Sequence, residues 1–403
     1  MSIGRIVCVL LAPLAVAQES PQLQRLLEEA HSIRRDPTTQ FDTAAQFKAA
    51  LRDWLDARLP ASGAALDRDL SSLQQALAAE LAQAGLLRPE NVYSQPGYGD
   101  RVELSRPDPS SVVAVAGITV GCGHDDEVLV YDYGHGARRR ILESNGTREH
   151  DESVLGTYMS TARADGSRLF LTLRFAIQCG SSWNMLAYDL FRLNGAAATR
   201  VFSGVHSIWF GGGDPKVELK PDDLRIEVSD RSIDAGVHSR THVLHYKVGP
   251  TAVTRIDPVA LQPQDFVDEW LTGPWSEVVS RSAVGSRATL KQWHDRLHSD
   301  LVAGEYEFVQ ECTERPHTWQ IAVTLDNQST YFLVRELGQH RYEMVDVSAK
   351  RQPGCPGESP PVMGGEPPHI VASLSRLRQR HQETTDFSAF RDRIEHVALS
   401  LAR

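Results

Sequence analysis

The fold of this chain is decided by a turn and by the strand that follows it. The turn reads Thr161-Ala-Arg-Ala-Asp165-Gly-Ser-Arg168, and the strand reads Leu169-Phe-Leu-Thr-Leu-Arg-Phe-Ala176. A turn signal directly before a short apolar run with aromatic residues predicts a strand of an antiparallel hairpin. Further strands are predicted around Tyr188 and after the turn at Asn194-Gly195. The stretch therefore predicts three or four antiparallel strands.

The same pattern occurs three times between residues 104 and 258. A turn aspartate and a strand tyrosine recur every 57 or 58 residues in all three copies, and a cysteine recurs after 57 residues in two of them. The markers are Asp108, Asp165 and Asp222, then Tyr131, Tyr188 and Tyr246, and finally Cys122 and Cys179, with Gly236 in the third cysteine position. Because a unit of this size cannot bury its own apolar face, stacked copies must share a core.

The turn sequences resemble those of a known family. Pro107-Asp108 in the first copy and Ala164-Asp165-Gly-Ser167 in the second, each before an apolar strand, are similar to the blade turn of β-propellers of the periplasmic Tol-associated kind. The resemblance covers residues 104–258 and implies a scaffold rather than an activity. Propellers usually close with four or more blades, whereas three copies are evident in this sequence. A β-sandwich and an open, curved meander are therefore the alternative architectures.

Helical patterns flank the repeats. Phe47, Leu51, Leu55 and Leu59 recur every fourth residue, and a second leucine stripe runs over residues 66–81. These stripes predict an N-terminal helical hairpin or small bundle. After residue 261, two helical segments are followed by four strands, and a last helix is predicted near the C-terminus. The strands are expected at 306–312, 319–325, 331–336 and 342–347, and the last helix at 387–401.

The predicted fold class is mainly β with helical flanks, or α+β overall, built on three antiparallel meander repeats of about 57 residues. The repeats are expected to form a propeller-like or sandwich arrangement. The predicted regions are a signal peptide at 1–17, a helical hairpin or bundle at 18–90, the three-repeat β domain at 101–260 and an α+β domain at 261–403.

The first 17 residues have the features of an export signal. Arg5 precedes a short apolar run from Ile6 to Leu14, and Ala15-Val16-Ala17 offers small residues of the type that signal peptidase recognises. This run is too short to span a bilayer, so we expect an exported protein without a membrane span, either periplasmic or extracellular. A formal net charge of -10 argues against nucleic acid as a partner. A protein or envelope partner is therefore the expected class.

Export changes the interpretation of the cysteines. Removal of the signal takes Cys8 and leaves four, an even number that suggests disulfides in an oxidising compartment. Four cysteines allow three pairings. We favour the pairs Cys122 with Cys179 and Cys312 with Cys355, because each pair falls within one region of the chain.

The sequence carries no common catalytic motif. It contains no Gly-x-Ser-x-Gly elbow, no phosphate-binding Gly-x-x-x-x-Gly-Lys loop and no His-Glu-x-x-His. The densest polar group is His124-Asp125-Asp126 beside Cys122, and a histidine next to two carboxylates is able to bind a metal or act as a general base. A second such group is His150-Asp151-Glu152, and Trp183 is the aromatic residue best placed for binding. No cofactor and no metal-ligand spacing is predicted.

Two hypotheses about function follow. The favoured one is an exported, non-enzymatic binding or envelope-assembly protein that displays loops from the β scaffold, because no nucleophile and base pair is evident. The alternative is an exported hydrolase or metal-dependent enzyme that uses His124, Asp125 and Asp126. Metal analysis of the purified protein and of a variant of this loop would separate the two hypotheses.

Overall fold

The computed structural model describes residues 20–35, 40–63, 70–84, 86, 101–120, 123–145, 152–176, 183–195, 197–209, 213–234, 239–298 and 303–355. Four four-stranded antiparallel sheets dominate these residues, with helices before the first sheet and before the fourth. The chain divides into two compact units. The first comprises residues 1–274, 298–302 and 337–342, and the second comprises 275–297, 303–336 and 343–403. The predicted class, mainly β with helical flanks, is confirmed.

Each sequence repeat forms one sheet whose strands pair in chain order. Sheet 1 consists of β1 (Arg101–Asp108), β2 (Ser111–Val120), β3 (Gly123–Asp132) and β4 (Arg139–Ser144). Sheet 2 consists of β5 (Glu152–Met159), β6 (Arg168–Ala176), β7 (Trp183–Leu193) and β8 (Ala198–Trp209). Sheet 3 consists of β9 (Lys216–Lys220), β10 (Asp223–Arg231), β11 (Ser239–Val248) and β12 (Val253–Arg255). The three antiparallel meander repeats are thus confirmed.

The apolar runs of these strands are continuous because both faces of the sheets are covered. Side chains alternate between the two faces of a strand. On β2, Val112 and Ala114 join the core beneath the helices, whereas Val113 and Val115 join the core between sheets 1 and 2. On β6, Leu171 joins the core between sheets 2 and 3. The three sheets therefore stack in chain order.

Helices cover the outer face of sheet 1. These helices are α1 (Pro21–Arg35), α2 (Gln40–Arg58) and α3 (Leu70–Gln83). A further helix, α4 (Pro263–Thr272), follows sheet 3. The predicted stripe of α2 is buried, with Leu55 0% exposed, and it shares one core with sheet 1. Burial of one such side chain contributes about 1.5–3 kcal/mol. In the described part of the chain, no helix is long and apolar enough to cross a membrane.

The repeated turn aspartates hold the hairpins and align the sheets. Asp108 and Asp165 each accept a hydrogen bond from the backbone N–H two residues further on, at 2.8 and 2.9 Å, which forms an Asx turn. Asp108 also pairs with Arg168 of sheet 2 at 2.7 Å, and Arg192 of sheet 2 donates to the backbone oxygen of Gly249 in sheet 3. Because these contacts join equivalent turns, the sheets stack with like ends together. We call the opposite end the tip end; there β2 passes into β3, β6 into β7 and β10 into β11.

The repeated tyrosines occupy the third strand of each sheet. Tyr131 is buried beneath the helices, whereas the hydroxyl groups of Tyr188 and Tyr246 lie 2.9 Å apart between sheets 2 and 3. Gly204 on β8 is directly opposite Tyr188, and a Cβ atom at this position would overlap the tyrosine ring. The tyrosine period in the sequence is thus the spacing of the third strand from one sheet to the next.

The second unit contains most of a fourth sheet of the same kind. Helices α5 (Trp275–Val278) and α6 (Arg287–Leu297) precede it, and its strands are β13 (Gly304–Glu311), β14 (Thr318–Leu325), β15 (Gln328–Glu336) and β16 (Tyr342–Ser348). They pair in chain order, as in the other sheets. The four strands expected after residue 261 are therefore present, and they form a meander.

A disulfide joins Cys312 to Cys355, one of the two pairs that the sequence favours. It lies in a small apolar cluster with Leu333. Cys122 and Cys179 lie outside the described residues. The predicted signal peptide at 1–17 and the predicted helix at 387–401 also lie outside them.

Candidate functional site

The adjacent carboxylates Asp125 and Asp126 lie on β3 near the tip end, and both are buried. Because neighbouring residues of a strand face opposite sides, they point into different layers. Asp125 accepts a hydrogen bond from Lys48 of α2 at 2.8 Å, and Asp126 accepts one from the backbone N–H of Val154 in sheet 2 at 2.7 Å. The two carboxylates therefore do not converge on one point. The side chain of His124 lies outside the described residues.

Glu127 lies on the same face of β3 as Asp125. Its carboxylate is buried and lies 3.2 Å from Nε of Arg52 on α2. Burial raises the pKa of Glu127 to about 8, although the charge of Arg52 opposes the shift. The layer between the helices and sheet 1 thus ends in buried ionisable side chains.

A second charged cluster lies between sheets 1 and 2. Arg174 of β6 is fully buried and donates to the backbone oxygens of Asp126 at 2.8 Å and Ser144 at 2.6 Å. Its Nε lies 4.0 Å from Glu152, the last member of the predicted group at 150–152. Glu152 therefore takes part in a buried ion pair, while His150 and Asp151 lie outside the described residues.

A third charged cluster lies between sheets 2 and 3. His206 of β8, Asp230 of β10 and His242 of β11 each offer one metal-ligand atom, and these atoms all lie within 4.8 Å of one another. Nε2 of His206 is 2.9 Å from Oδ2 of Asp230. The two imidazole rings stack with their centroids 4.2 Å apart. Asp230 and His242 are buried, and His206 is partly exposed.

Helix α4 adds an acidic face to this cluster. Asp265, Asp268 and Glu269 are spaced at i, i+3 and i+4, which places them on one side of the helix, and all three are buried. Oε2 of Glu269 lies 2.8 Å from Nδ1 of His242, and Oε1 lies 2.7 Å from Nη2 of Arg255. The helix thus holds one edge of sheet 3 through charged contacts.

Arg240 of β11 lies between Asp230 of sheet 3 and the carboxylates of α4. Its buried guanidinium lies 3.4 Å from Asp230, 3.3 Å from Asp268 and 3.5 Å from Glu269. Burial would lower the pKa of Arg240, but the three carboxylates outweigh it and raise the pKa. This cation therefore stays charged and lowers the cost of burying the carboxylates.

The protonation states of the ligand residues follow from these contacts. Burial lowers the pKa of His242 to about 4, although Glu269 opposes the shift. Burial would raise the pKa of Asp230, but the hydrogen bond and charge of His206 outweigh it and lower the pKa to about 2. At neutral pH the cluster thus contains a neutral His242 and an ionised Asp230. These are the forms in which both residue types bind metal ions.

Sequence reasoning missed this third cluster. His206, Asp230 and His242 are separated by 24 and 12 residues and come from three strands of two sheets, so no local motif marks them. The one signal in the sequence is the run of acidic residues on the apolar helix α4, whose charges need buried partners. The side chain of Trp183, predicted as a binding residue, lies outside the described residues.

No family model matches this chain, and no curated protein matches it. A solved structure of a mutant α-L-arabinofuranosidase from Fusarium graminearum with an iminosugar inhibitor aligns with 64% of this chain and 82% of that chain, at 10% identity and a TM-score of 0.24. The β-propeller domain of the trilobed protease from Pyrococcus furiosus aligns with 58% of this chain and 80% of that chain, at 8% identity and a TM-score of 0.11. Scores this low carry no argument about activity. The description of a propeller-like set of meanders rests on the four sheets themselves.

Proposed function

We propose that this chain is an exported, non-enzymatic binding or assembly protein that presents the tip end of its β-repeat scaffold to a protein or envelope partner. The observation that carries the proposal is that charged side chains near this end bind to groups in the neighbouring layer. Asp125, Asp126 and Arg174 are each held by partners in a neighbouring layer. Groups engaged in this way hold the layers together and are poorly placed for acid–base chemistry.

Other observations support export and an envelope partner. The N-terminal sequence has the order of charge, apolar run and small residues that export requires. A disulfide between Cys312 and Cys355 fits an oxidising compartment. The turn sequences resemble those of periplasmic Tol-associated propellers. We therefore propose the periplasm or the extracellular space as the location.

The test uses a photo-reactive residue placed at one end of the scaffold or the other. Benzoylphenylalanine replaces Ser181, which lies in the sequence between β6 and β7, or Ala164, which is exposed in the turn between β5 and β6. We expect irradiated cells to yield one discrete adduct from position 181 and none from position 164. Adducts at both positions, or none at 181, would overturn the proposal.

The competing hypothesis is an exported hydrolase or metal-dependent enzyme that uses His124, Asp125 and Asp126. The opposite directions of the two carboxylates argue against it. Its test is a His124→Ala variant, which would lose metal or hydrolytic activity that the wild-type protein has. If neither property changes, this hypothesis is wrong.

A further inference from the structure

We infer that His206, Asp230 and His242 form a binding site for one divalent transition metal ion, with Zn²⁺ as the best fit, that links sheet 2 to sheet 3. Two imidazole nitrogens and one carboxylate oxygen are a ligand set that Zn²⁺ commonly takes. His206 comes from sheet 2, and Asp230 and His242 come from sheet 3. The site goes beyond the proposed binding function and does not depend on it.

The spacing of the ligand atoms fits this assignment. Zinc bonds of about 2.0–2.2 Å in a tetrahedron place ligand atoms roughly 3.3 Å apart. The three atoms here all lie within 4.8 Å of one another, and the His206 to Asp230 distance is 2.9 Å. The two imidazole rings are nearly parallel, with an interplanar angle of 11°, so at least one ring has to turn before both nitrogens point at one ion. Three protein ligands leave a fourth position for water or for a group from a partner.

A carboxylate behind one ligand supports the assignment independently. Histidines that bind metal usually donate the N–H of their other ring nitrogen to a carboxylate or a carbonyl, which fixes the tautomer and the ring orientation. Nδ1 of His242 lies 2.8 Å from Oε2 of Glu269 on α4. The two atoms are close but are not aligned as a hydrogen bond, and a turn of the ring that let Nδ1 donate would leave Nε2 to face the metal.

Arg255 is the group that a metal has to displace. Its Nη2 lies 3.2 Å from Nε2 of His242, and the same nitrogen lies 2.7 Å from Oε1 of Glu269. The side chain of Arg255 is 18% exposed, and the same nitrogen also donates to the backbone oxygen of Val243 at 3.3 Å. Binding of a metal at Nε2 of His242 therefore requires Arg255 to move away from this nitrogen.

The charges around the ligands favour a cation. Among the described groups that surround the ligands, the cations Arg240 and Arg255 lie among four carboxylates, which are Asp230, Asp265, Asp268 and Glu269. The acidic groups thus outnumber the arginines, and a bound divalent cation would offset part of their negative charge.

Calorimetric titration of chelator-treated full-length protein with Zn²⁺ tests the site. We expect one ion per chain, and we expect Co²⁺ in its place to give the visible bands of a tetrahedral complex. Glu269→Gln should weaken binding by about 10–100-fold, as for other residues that orient metal ligands. His206→Gln should weaken it further, and because His206 is partly exposed, this variant should keep its fold.

The matched control is His245→Gln. His245 lies on the same strand as His242, and its nitrogens contact the backbone oxygen of Asp257 at 2.7 Å and Asp223 at 3.0 Å. We expect Zn²⁺ affinity to be unchanged in this variant. Absence of stoichiometric binding, or binding that survives His206→Gln, would overturn the assignment. Loss of metal in His124→Ala but not in His206→Gln would place the ion at residues 124–126 instead.

Discussion

Lys48 and Asp125 form an ion pair between α2 and β3 in which both side chains are less than a tenth exposed. Lys48→Met removes the cation and leaves the carboxylate buried without it, so we expect a loss of about 3–5 kcal/mol in unfolding free energy. Arg25→Met is the control, because Arg25 and Asp53 are paired at 2.8 Å but are more than half exposed. There we expect a loss of about 0–1 kcal/mol. Urea unfolding measures both losses, and similar values would contradict the interpretation.

Glu127 gives a dependence of stability on pH. Its pKa is about 8 in the folded chain against an ordinary value of 4.5. Between these values the folded chain binds one more proton than the unfolded chain, so stability falls as the pH rises through this window. The Glu127→Gln variant cannot bind this proton. As the pH rises, the unfolding free energy of the wild type should therefore fall relative to that of the variant by at most about 1.4 kcal/mol per pH unit. Urea unfolding at pH 5 and pH 8 measures the difference, and a constant difference would contradict the prediction.

At the scale of elements, α2 shares one apolar core with sheet 1. Leu55→Ala removes a fully buried side chain of this helix, and we expect a loss of about 2–5 kcal/mol from lost burial and the cavity left behind. The matched control is Leu155→Ala on β5, where the side chain is 42% exposed. We expect less than about 1 kcal/mol there, since 42% of that surface already contacts water. Thermal unfolding of both variants distinguishes the two cases.

The ends of the strands were more predictable from the sequence than the contacts that the strands make. The strands of the fourth sheet lie within three residues of the expected ends, because apolar runs and turn residues mark them locally. Asp125 and Asp126 are neighbours in sequence and suggest one site, but alternation along a strand sends them to opposite faces. The cluster of His206 and His242 depends on the stacking of two sheets, and no local pattern reports that stacking.

At the scale of the whole molecule, the disulfide belongs to the second unit alone. Cys312 and Cys355 close a loop with a sequence separation of 43, for which the chain-entropy model gives about 4 kcal/mol at most. We expect reduction, or the double change Cys312→Ser and Cys355→Ser, to speed amide hydrogen exchange in residues 303–355. Peptides from residues 101–255 should keep their exchange rates, because sheets 1 to 3 share their own cores. Equal acceleration in both regions would contradict this.

The contact between Tyr188 and Gly204 restricts how this chain is able to diverge. The tyrosine ring lies where any side chain at position 204 would have to be, and its hydroxyl reaches Tyr246 in the next sheet. A larger residue at 204 is therefore compatible with the fold only when residue 188 becomes smaller, and then Tyr246 needs a new hydrogen-bond partner. In evolutionary terms the three positions form one inherited unit, and descendants of this chain should change them together or keep them all.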